Sequence, residues 1–438
     1  MTNSTGNQSD IEYLLSIRSV RETNSPTLKA LLENKLTNFD VDISRLDDIV
    51  KYVSETITSS YPTKESLLTI PVHGRYQHFE VGGNPRLTNL ITEWTKSGLT
   101  DYEICKRTLD LFVVSVLIDA GAGNEWKFDE NGTIFNRSEG IAVASFHMFV
   151  NGDFSNDQSS PYQVNGLKLA NYSPELLEKG FQITDNNKLY GFDGRLNLIR
   201  KIGNILESKK EIFGQDSRPG NLLDYLIALP TCEKIGESGY KLNLEDLWTT
   251  LMKGLHDIWP KDSTRTVVDG FSVGDAWKLK LNDSIVTFHK LTQWLTYSLL
   301  LPLRKFGHLE IYNTELLTGL PEYRNGGVFV DLGLLTLKEE ALQKGLELSK
   351  ESKTDQGIPS FTAIDDVIVE WRSSTIVLLD YILPRVNDYL KITGTEYQLI
   401  LPQLIEAGSW PSGRRIAASL RPKTSGPPIN LISDGTVF

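Results

Sequence analysis

The sequence predicts a mainly α-helical protein: a single helical domain over residues 11–438, behind a short flexible tail at 1–10, with a small peripheral β hairpin. Three observations predict it. Apolar residues recur at three- and four-residue spacing, as in Leu28, Leu31, Leu32 and Leu36. Strand alternation is weak everywhere except 265–281 (RTVVDGFSVGDAWKLKL), the best hairpin candidate. No internal repeat, low-complexity linker or compositional break divides the 438 residues, a length that single folds often reach.

The elements follow in order. Residues 1–10 are polar and lack the apolar run of a secretory signal. Helical spacing then carries Ile11, Leu14, Leu15 and Ile17 onward to about residue 61. Within it Ser25-Pro26 reads as a helix start, because proline suits a first turn. Residues 68–88, with Gly74, Gly82, Gly83 and Pro85, read as a loop. Helix returns over 101–120, where Gly121 offers a left-handed cap. The stretch 121–170 is rich in Gly, Asn, Asp and Ser around an apolar patch at 141–150, and reads as long irregular chain. Further helices are expected at 174–180, 194–208, 243–256, 284–303, 327–350, 365–392 and 396–407.

Composition narrows the function. Lys+Arg number 45 against 56 Asp+Glu, a net charge of −11, which disfavours nucleic acid and anionic membrane as partners. The densest apolar run, 109–120, is broken by Ser115 and Asp119 and falls short of the roughly 20 residues a membrane span needs. Two cysteines, Cys105 and Cys232, make no disulfide framework and suit a reducing compartment. The expectation is a soluble cytoplasmic protein, with the nucleus left open. Phosphate-loop, dinucleotide, HExxH, CxxC, EF-hand and GxSxG patterns are all missing. The six histidines are scattered, and His73 and His78 lack helical ligand spacing. Neither metal nor cofactor is expected.

Charged residues inside apolar helices are more informative. In 366–383 (DVIVEWRSSTIVLLDYIL), Glu370 and Arg372 lie on faces that otherwise read as buried. Such charges need partners or a polar cavity; a packing ion pair and a ligand site are both open readings. In 284–303, Lys290, Gln293 and Tyr297 share one face of an apolar helix, either as a solvated stripe or as a site. Residues 319–335 (GLPEYRNGGVFVDLGLL) put Glu322, Tyr323 and Arg324 after a turn and before a helix. Exposed amides there favour negative charge, so Glu322 reads as a capping residue or as a functional carboxylate.

These segments carry a resemblance. HGRYQHFEVGG (73–83), LIDAGAGNEW (117–126), RSEGIAVASFHMF (137–149), FHKLTQWLTYSL (288–299), LTGLPEYRNGG (317–327), VEWRSS (369–374) and the tail SDGTVF (433–438) together resemble the uracil-catabolism protein 4 family, a former domain of unknown function. A remoter likeness links Phe288 to Gln293, Glu322-Tyr323-Arg324 and Val369 to Arg372 to the F-Y-K-x-A-Q, D-Y-R and V-E-I-R runs of queuosine-salvage proteins. Residues 173–180 and 194–206 also look similar. Those proteins are N-ribosyl hydrolases with a helical fold akin to DNA glycosylases, and their catalytic carboxylate lies in the D-Y-R run. Glu322 stands here in place of that Asp, and Asn-Gly-Gly follows in place of a Leu-Pro-Gln-type run.

The two resemblances imply one chemistry. Opening uracil while it is still attached to ribose leaves a ribosylurea, or its 5′-phosphate, and an N-ribosyl hydrolase would release urea from it. The substrate class is thus a small ribosylated urea or nucleotide-derived molecule. Breaking the ribose–nitrogen bond develops positive charge on the sugar; a carboxylate about 4 Å away stabilises it by about 4 kcal/mol at an effective dielectric near 20, roughly a thousandfold in rate. Glu322 takes that role, with water activation as a second duty. Lys290 would protonate the leaving nitrogen or hold Glu322 ionised. Glu370 would bind ribose hydroxyls, oriented by Arg372 or Arg324. His73, Arg75 and Arg86 are candidates for a 5′-phosphate; Glu139, His147, Gln293 and Tyr323 complete the candidate pocket. Two other readings compete: an amidohydrolase cutting a ureido C–N bond, and a non-catalytic subunit that binds a pathway intermediate or partner. A catalyst requires Glu322, Lys290 and Glu370 to converge. The oligomeric state is not readable from these residues.

Overall fold

A computed structural model describes residues 4–119, 125–157, 159–189, 191–259, 261, 265–352 and 357–432. It is mainly α with short peripheral strands, as the apolar spacing requires. The principal helices are α1 (Ser4–Leu15), α2 (Ile17–Leu32), α3 (Leu46–Ser60), α4 (Arg75–Phe79), α5 (Arg86–Lys96), α6 (Asp101–Leu117), α7 (Arg137–Val150), α8 (Phe192–Ser208), α9 (Leu244–Leu255), α10 (Lys290–Lys305), α11 (Tyr323–Asp331), α12 (Glu339–Glu351), α13 (Asp366–Tyr389) and α14 (Trp410–Leu420).

The chain gathers into two compact units, each drawn from separate stretches. The first takes the described residues of Met1–His73, Lys261–Lys290 and Glu315–Ser433; the second those of Gly74–Pro260 and Leu291–Thr314. Because each unit is assembled from interleaved amphipathic segments of ordinary composition, no boundary shows in the sequence.

In the first unit α13 is the central helix. Val367, Val369, Ile376, Leu378, Leu379 and Ile382 are all buried, and α2, α3 and α11 pack around them. Helix α14 crosses α11 closely: a Cβ on Gly413 would lie 2.0 Å from the Arg324 carbonyl oxygen, so only glycine fits. Strands β1 (Phe39–Val41) and β11 (Leu335–Leu337) pair antiparallel, while β12 (Ser360–Thr362) and β13 (Asn430–Ile432) pair parallel. The expected hairpin is in fact two: β6 (Val267–Val268) with β7 (Phe271–Ser272), then β8 (Ala276–Leu279) with β9 (Ser284–Thr287).

The second unit centres on α6, where Ile104, Leu109, Phe112, Val113 and Val116 are buried, and α4, α5 and α7 stack beside it or its neighbours. Strands β2 (Phe128–Glu130) and β3 (Thr133–Phe135) form a hairpin, and a three-stranded sheet runs β10 (Leu309–Tyr312), β5 (Gly239–Asn243), β4 (Glu233–Ile235). The apolar patch in the expected irregular region is the helix α7.

Several boundaries differ from expectation for identifiable reasons. Helix α1 starts at Ser4, inside the expected tail. Helix α2 starts at Ile17, capped by the Ser16 side chain, and Pro26 lies within it; the Ser25 hydroxyl donates to the Glu22 carbonyl at 2.9 Å, replacing the bond that proline cannot make. Residues 284–287 are strand, so the helix there begins only at Lys290. The expected helix at 327–350 breaks into α11 and α12 at Gly333, whose φ is 78°. The helix expected at 396–407 is a short turn, Leu401–Leu404, that widens into a π-helical turn, Ile405–Ser409. The loop at 68–88 contains α4. The Gly121 cap and the 433–438 tail lie outside the described residues. Cys105 and Cys232 are both unpaired thiols. Among the described residues no helix is long and apolar enough to cross a membrane.

Candidate active site

Helix α11 begins with its own carboxylate. Glu322 is the N-cap, in extended conformation, and its oxygens accept the amides of Arg324 at 2.8 Å and Asn325 at 2.6 Å. The capping reading of Glu322 holds, and a cap occupies one lone pair on each oxygen and leaves the others. Burial pushes its pKa above the usual carboxylate value; the two amides, Lys290 and Arg324 pull the other way, and burial wins. Yet Glu322 keeps some accessible surface, as does Lys290. Glu322 is thus strongly desolvated and still reachable.

A buried ion pair fixes the surroundings of this carboxylate. Arg372 of α13 makes a bidentate contact with Asp275, 2.8 Å to each oxygen, and stacks 4.0 Å over the Phe288 ring. Asp275 also accepts the Trp277 indole N–H at 2.7 Å and the Lys290 amide at 3.0 Å. Burial opposes its ionisation, but Arg372 and these donors hold it well below the carboxylate range. The Asp275 carbonyl takes the amides of Phe288 and His289, and His289 adopts a φ of 43° directly before Lys290. Arg372 Nε reaches the Pro321 carbonyl at 3.4 Å. One ion pair thus positions both the start of α10, which carries Lys290, and the turn that carries Glu322. Arg372 is a positioning residue, and the packing-pair reading describes its contacts.

A second chain of contacts leaves α11 through Asn325. Its amide donates to the Leu320 carbonyl at 3.0 Å, and its oxygen accepts the Ser409 hydroxyl at 2.7 Å. Ser409 closes the π-helical turn, which also carries Glu406; the Glu406 carboxylate lies 2.5 Å from His73 Nδ1. His73 is 3% exposed, and its ring lies 6.3 Å from that of Trp410. Turns of π geometry recur at functional sites.

The remaining candidates divide clearly. Glu370 is fully buried, and its oxygens accept the Thr37 and Asn38 amides, each at 2.6 Å. The ribose contact expected of it is corrected: this carboxylate closes the turn after α2 and presents no surface to a ligand. Arg75 is fully buried, bonded to the Ser115 hydroxyl and carbonyl, to Ser138 and to Asp119 at 2.8 Å. Arg86 serves Glu130 and the carbonyls of Phe79 and Val81. With their donors spent on the protein, neither arginine fits the expected phosphate role. His147 bonds Glu130 at 2.6 Å and stacks on Phe128. Glu139 is half-buried in the first turn of α7, and Gln293 is fully buried in α10. Tyr323, half-buried, lies 5.1 Å below the Arg324 guanidinium. The structure brings Lys290, Glu322, Tyr323, Arg324 and Arg372 together in the first unit and uses Glu370 elsewhere in it.

Sequence reasoning passed over Asp275 and Glu406. Asp275 sits inside an alternating hairpin pattern that draws attention to its apolar face. Glu406 is an acid on an otherwise apolar segment, LIEAGSW, the same signal that singled out Glu370. Among the described residues no three His, Cys, Asp or Glu side chains gather as a metal site would need.

Comparison with known proteins adds a second line. A family model described as a protein of unknown function (DUF1688) matches residues 13–438. The chain belongs to this family. It is 46% identical to Uracil catabolism protein 4 of Lachancea kluyveri, over 98% of this chain and 99% of the relative. It is 44% identical to Protein urg3 of Schizosaccharomyces pombe, again over 98% of this chain and 99% of the relative. Identity at this level spans both units, so the elements that build the Glu322 site lie inside the shared family region.

Proposed function

We propose that this chain acts in uracil catabolism as an N-ribosyl hydrolase, cutting the ribose–nitrogen bond of ribosylurea or its 5′-phosphate to release urea. The printed name of the Lachancea kluyveri relative supports the pathway. One observation carries the reaction: a desolvated but reachable carboxylate, Glu322, fixed by two main-chain amides within electrostatic reach of Lys290.

In the step proposed, the C1′–N bond breaks and its electron pair leaves on the urea nitrogen. Positive charge develops on C1′ and the ring oxygen, where the Glu322 anion stabilises it more than it stabilises the neutral substrate. Water adds its oxygen to C1′; its proton passes to Glu322, whose raised pKa suits it as an acceptor. That proton is then passed on to the departing nitrogen, so free ribose or ribose 5-phosphate and urea result and Glu322 returns to its ionised form. Lys290 lowers the pKa of Glu322, which supports the role of keeping that anion charged. The test is urea release from both compounds by the purified protein, measured through a coupled urease assay, with Glu322→Gln alongside. Loss of release in the variant supports the reading; full activity in the variant sinks it.

A second reading, a non-catalytic subunit that binds a pathway intermediate, draws on one observation: Glu370 does not join Glu322 and Lys290 but caps a turn. Binding of ribosylurea without any turnover by the wild-type protein would favour it.

A further inference from the structure

Arg324 is a buried cation with unspent donors. It is 7% exposed, and its Nε has no hydrogen-bond partner. The contact to the Ser425 carbonyl, from Nη1, is long at 3.4 Å. Glu322, two residues away, turns its oxygens to the main-chain amides rather than to the guanidinium. The plane of Arg324 instead lies over Tyr323. Burying a guanidinium with an empty donor costs stability that folding alone does not require. Arg75 and Arg86, by contrast, are saturated by protein acceptors.

We propose that Arg324 receives the phosphate monoester of the substrate, so that the protein selects the phosphorylated over the unphosphorylated ribosylated urea. The inference rests on the hydrolase reading for its substrate and names the group that the same site recognises. A guanidinium suits a phosphate because its planar fork offers paired donors to two oxygens. Arg324 stands two residues from Glu322 and close enough to act on its charge, so both could engage one small ligand. Glu322 would act on one end of the sugar ring while Arg324 held the other.

The test compares KM and kcat for ribosylurea and its 5′-phosphate in wild-type protein, Arg324→Met and Arg324→Lys, with inorganic phosphate as competitor and calorimetric binding as a second readout. Wild type is expected to prefer the phosphorylated compound. Arg324→Met should raise its KM by about 10- to 100-fold, the equivalent of one lost charge-assisted contact, and change the KM of the unphosphorylated compound far less, while loss of its charge near Glu322 shifts the acid limb for both compounds alike. Arg324→Lys should recover part of the preference, and inorganic phosphate should compete in wild type, more weakly in Arg324→Lys and not in Arg324→Met. Equal handling of the two compounds by wild type, or a preference that survives in Arg324→Met, overturns the proposal while urea release keeps the hydrolase reading. Arg324-dependent binding of the phosphorylated compound without urea release upholds the phosphate site and overturns the hydrolase reading. Should Arg324→Met not fold, wild type against Arg324→Lys with phosphate competition decides the matter by the same criteria.

Discussion

Glu322 shows how one residue can serve two masters at a helix start. As a cap it is favoured by the amides it accepts; as an ion it is disfavoured by burial, and the net result is a raised pKa. Lys290 is one of the few groups pulling that value down. Removing its charge in Lys290→Met must therefore raise it further, so that ionised Glu322 is lost at a higher pH. The acid limb of a urea-release pH profile is expected to move upward in the variant, with the shift vanishing on the alkaline side. An unmoved acid limb would separate Lys290 from Glu322. The Arg86–Glu130 pair gives the opposite sign. Contact with Arg86 foremost, and then His147, holds Glu130 at about 2 against an ordinary 4.5. A depressed carboxylate contributes stability above its ordinary value and loses it as the pH falls through its folded value. Arg86→Met should thus lower Tm by a constant amount above pH 4.5, and by progressively less as the pH approaches 2, in scanning calorimetry.

Among the elements, the α11–α14 crossing is the most tightly specified. Gly413→Ala would put a methyl 2.0 Å from the Arg324 carbonyl, and the overpacking should cost about 1–3 kcal/mol or more, read as a lower urea midpoint with an unchanged m-value. The helices themselves were legible because their apolar spacing is strong; α6, α8, α9 and α13 all lie close to where periodicity puts them. What was not legible depended on partners remote in the chain. Residues 284–287 look like the start of a helix until β8 claims them, and Pro26 looks like a start until the Ser25 hydroxyl excuses its missing amide. The site follows the same rule. Glu322 and Arg372 stood out as charges in apolar surroundings, whereas Asp275 is revealed only by the guanidinium of a helix almost a hundred residues downstream. Glu370 carried the same signal as Arg372, and only its two amide partners distinguish a turn-closing acid from a ligand-facing one.

At the scale of the molecule, interleaving decides what can fold by itself. The long stretch from Gly74 to Pro260 belongs to the second unit but lacks Leu291–Thr314. Without that segment β5 loses its partner β10, the Arg75 amide loses the Ser298 hydroxyl, and the Cys105 thiol loses the Pro302 carbonyl. Residues 74–260 expressed alone are expected to show helical circular dichroism without a cooperative thermal transition. A sharp melt would show the stretch to be self-sufficient.

The ion pair between Asp275 and Arg372 sets an order of events during synthesis. A ribosome releases Asp275, Lys290 and Glu322 before it has made the arginine that neutralises the first of them. Until α13 emerges, the nascent chain holds an unmatched acid beside the future site, and water remains its best companion. Pairing between such distant positions is slow to form, because the intervening loop must close first. The turn around Glu322, which Arg372 reaches through the Pro321 carbonyl, therefore gains that support only once α13 has been made.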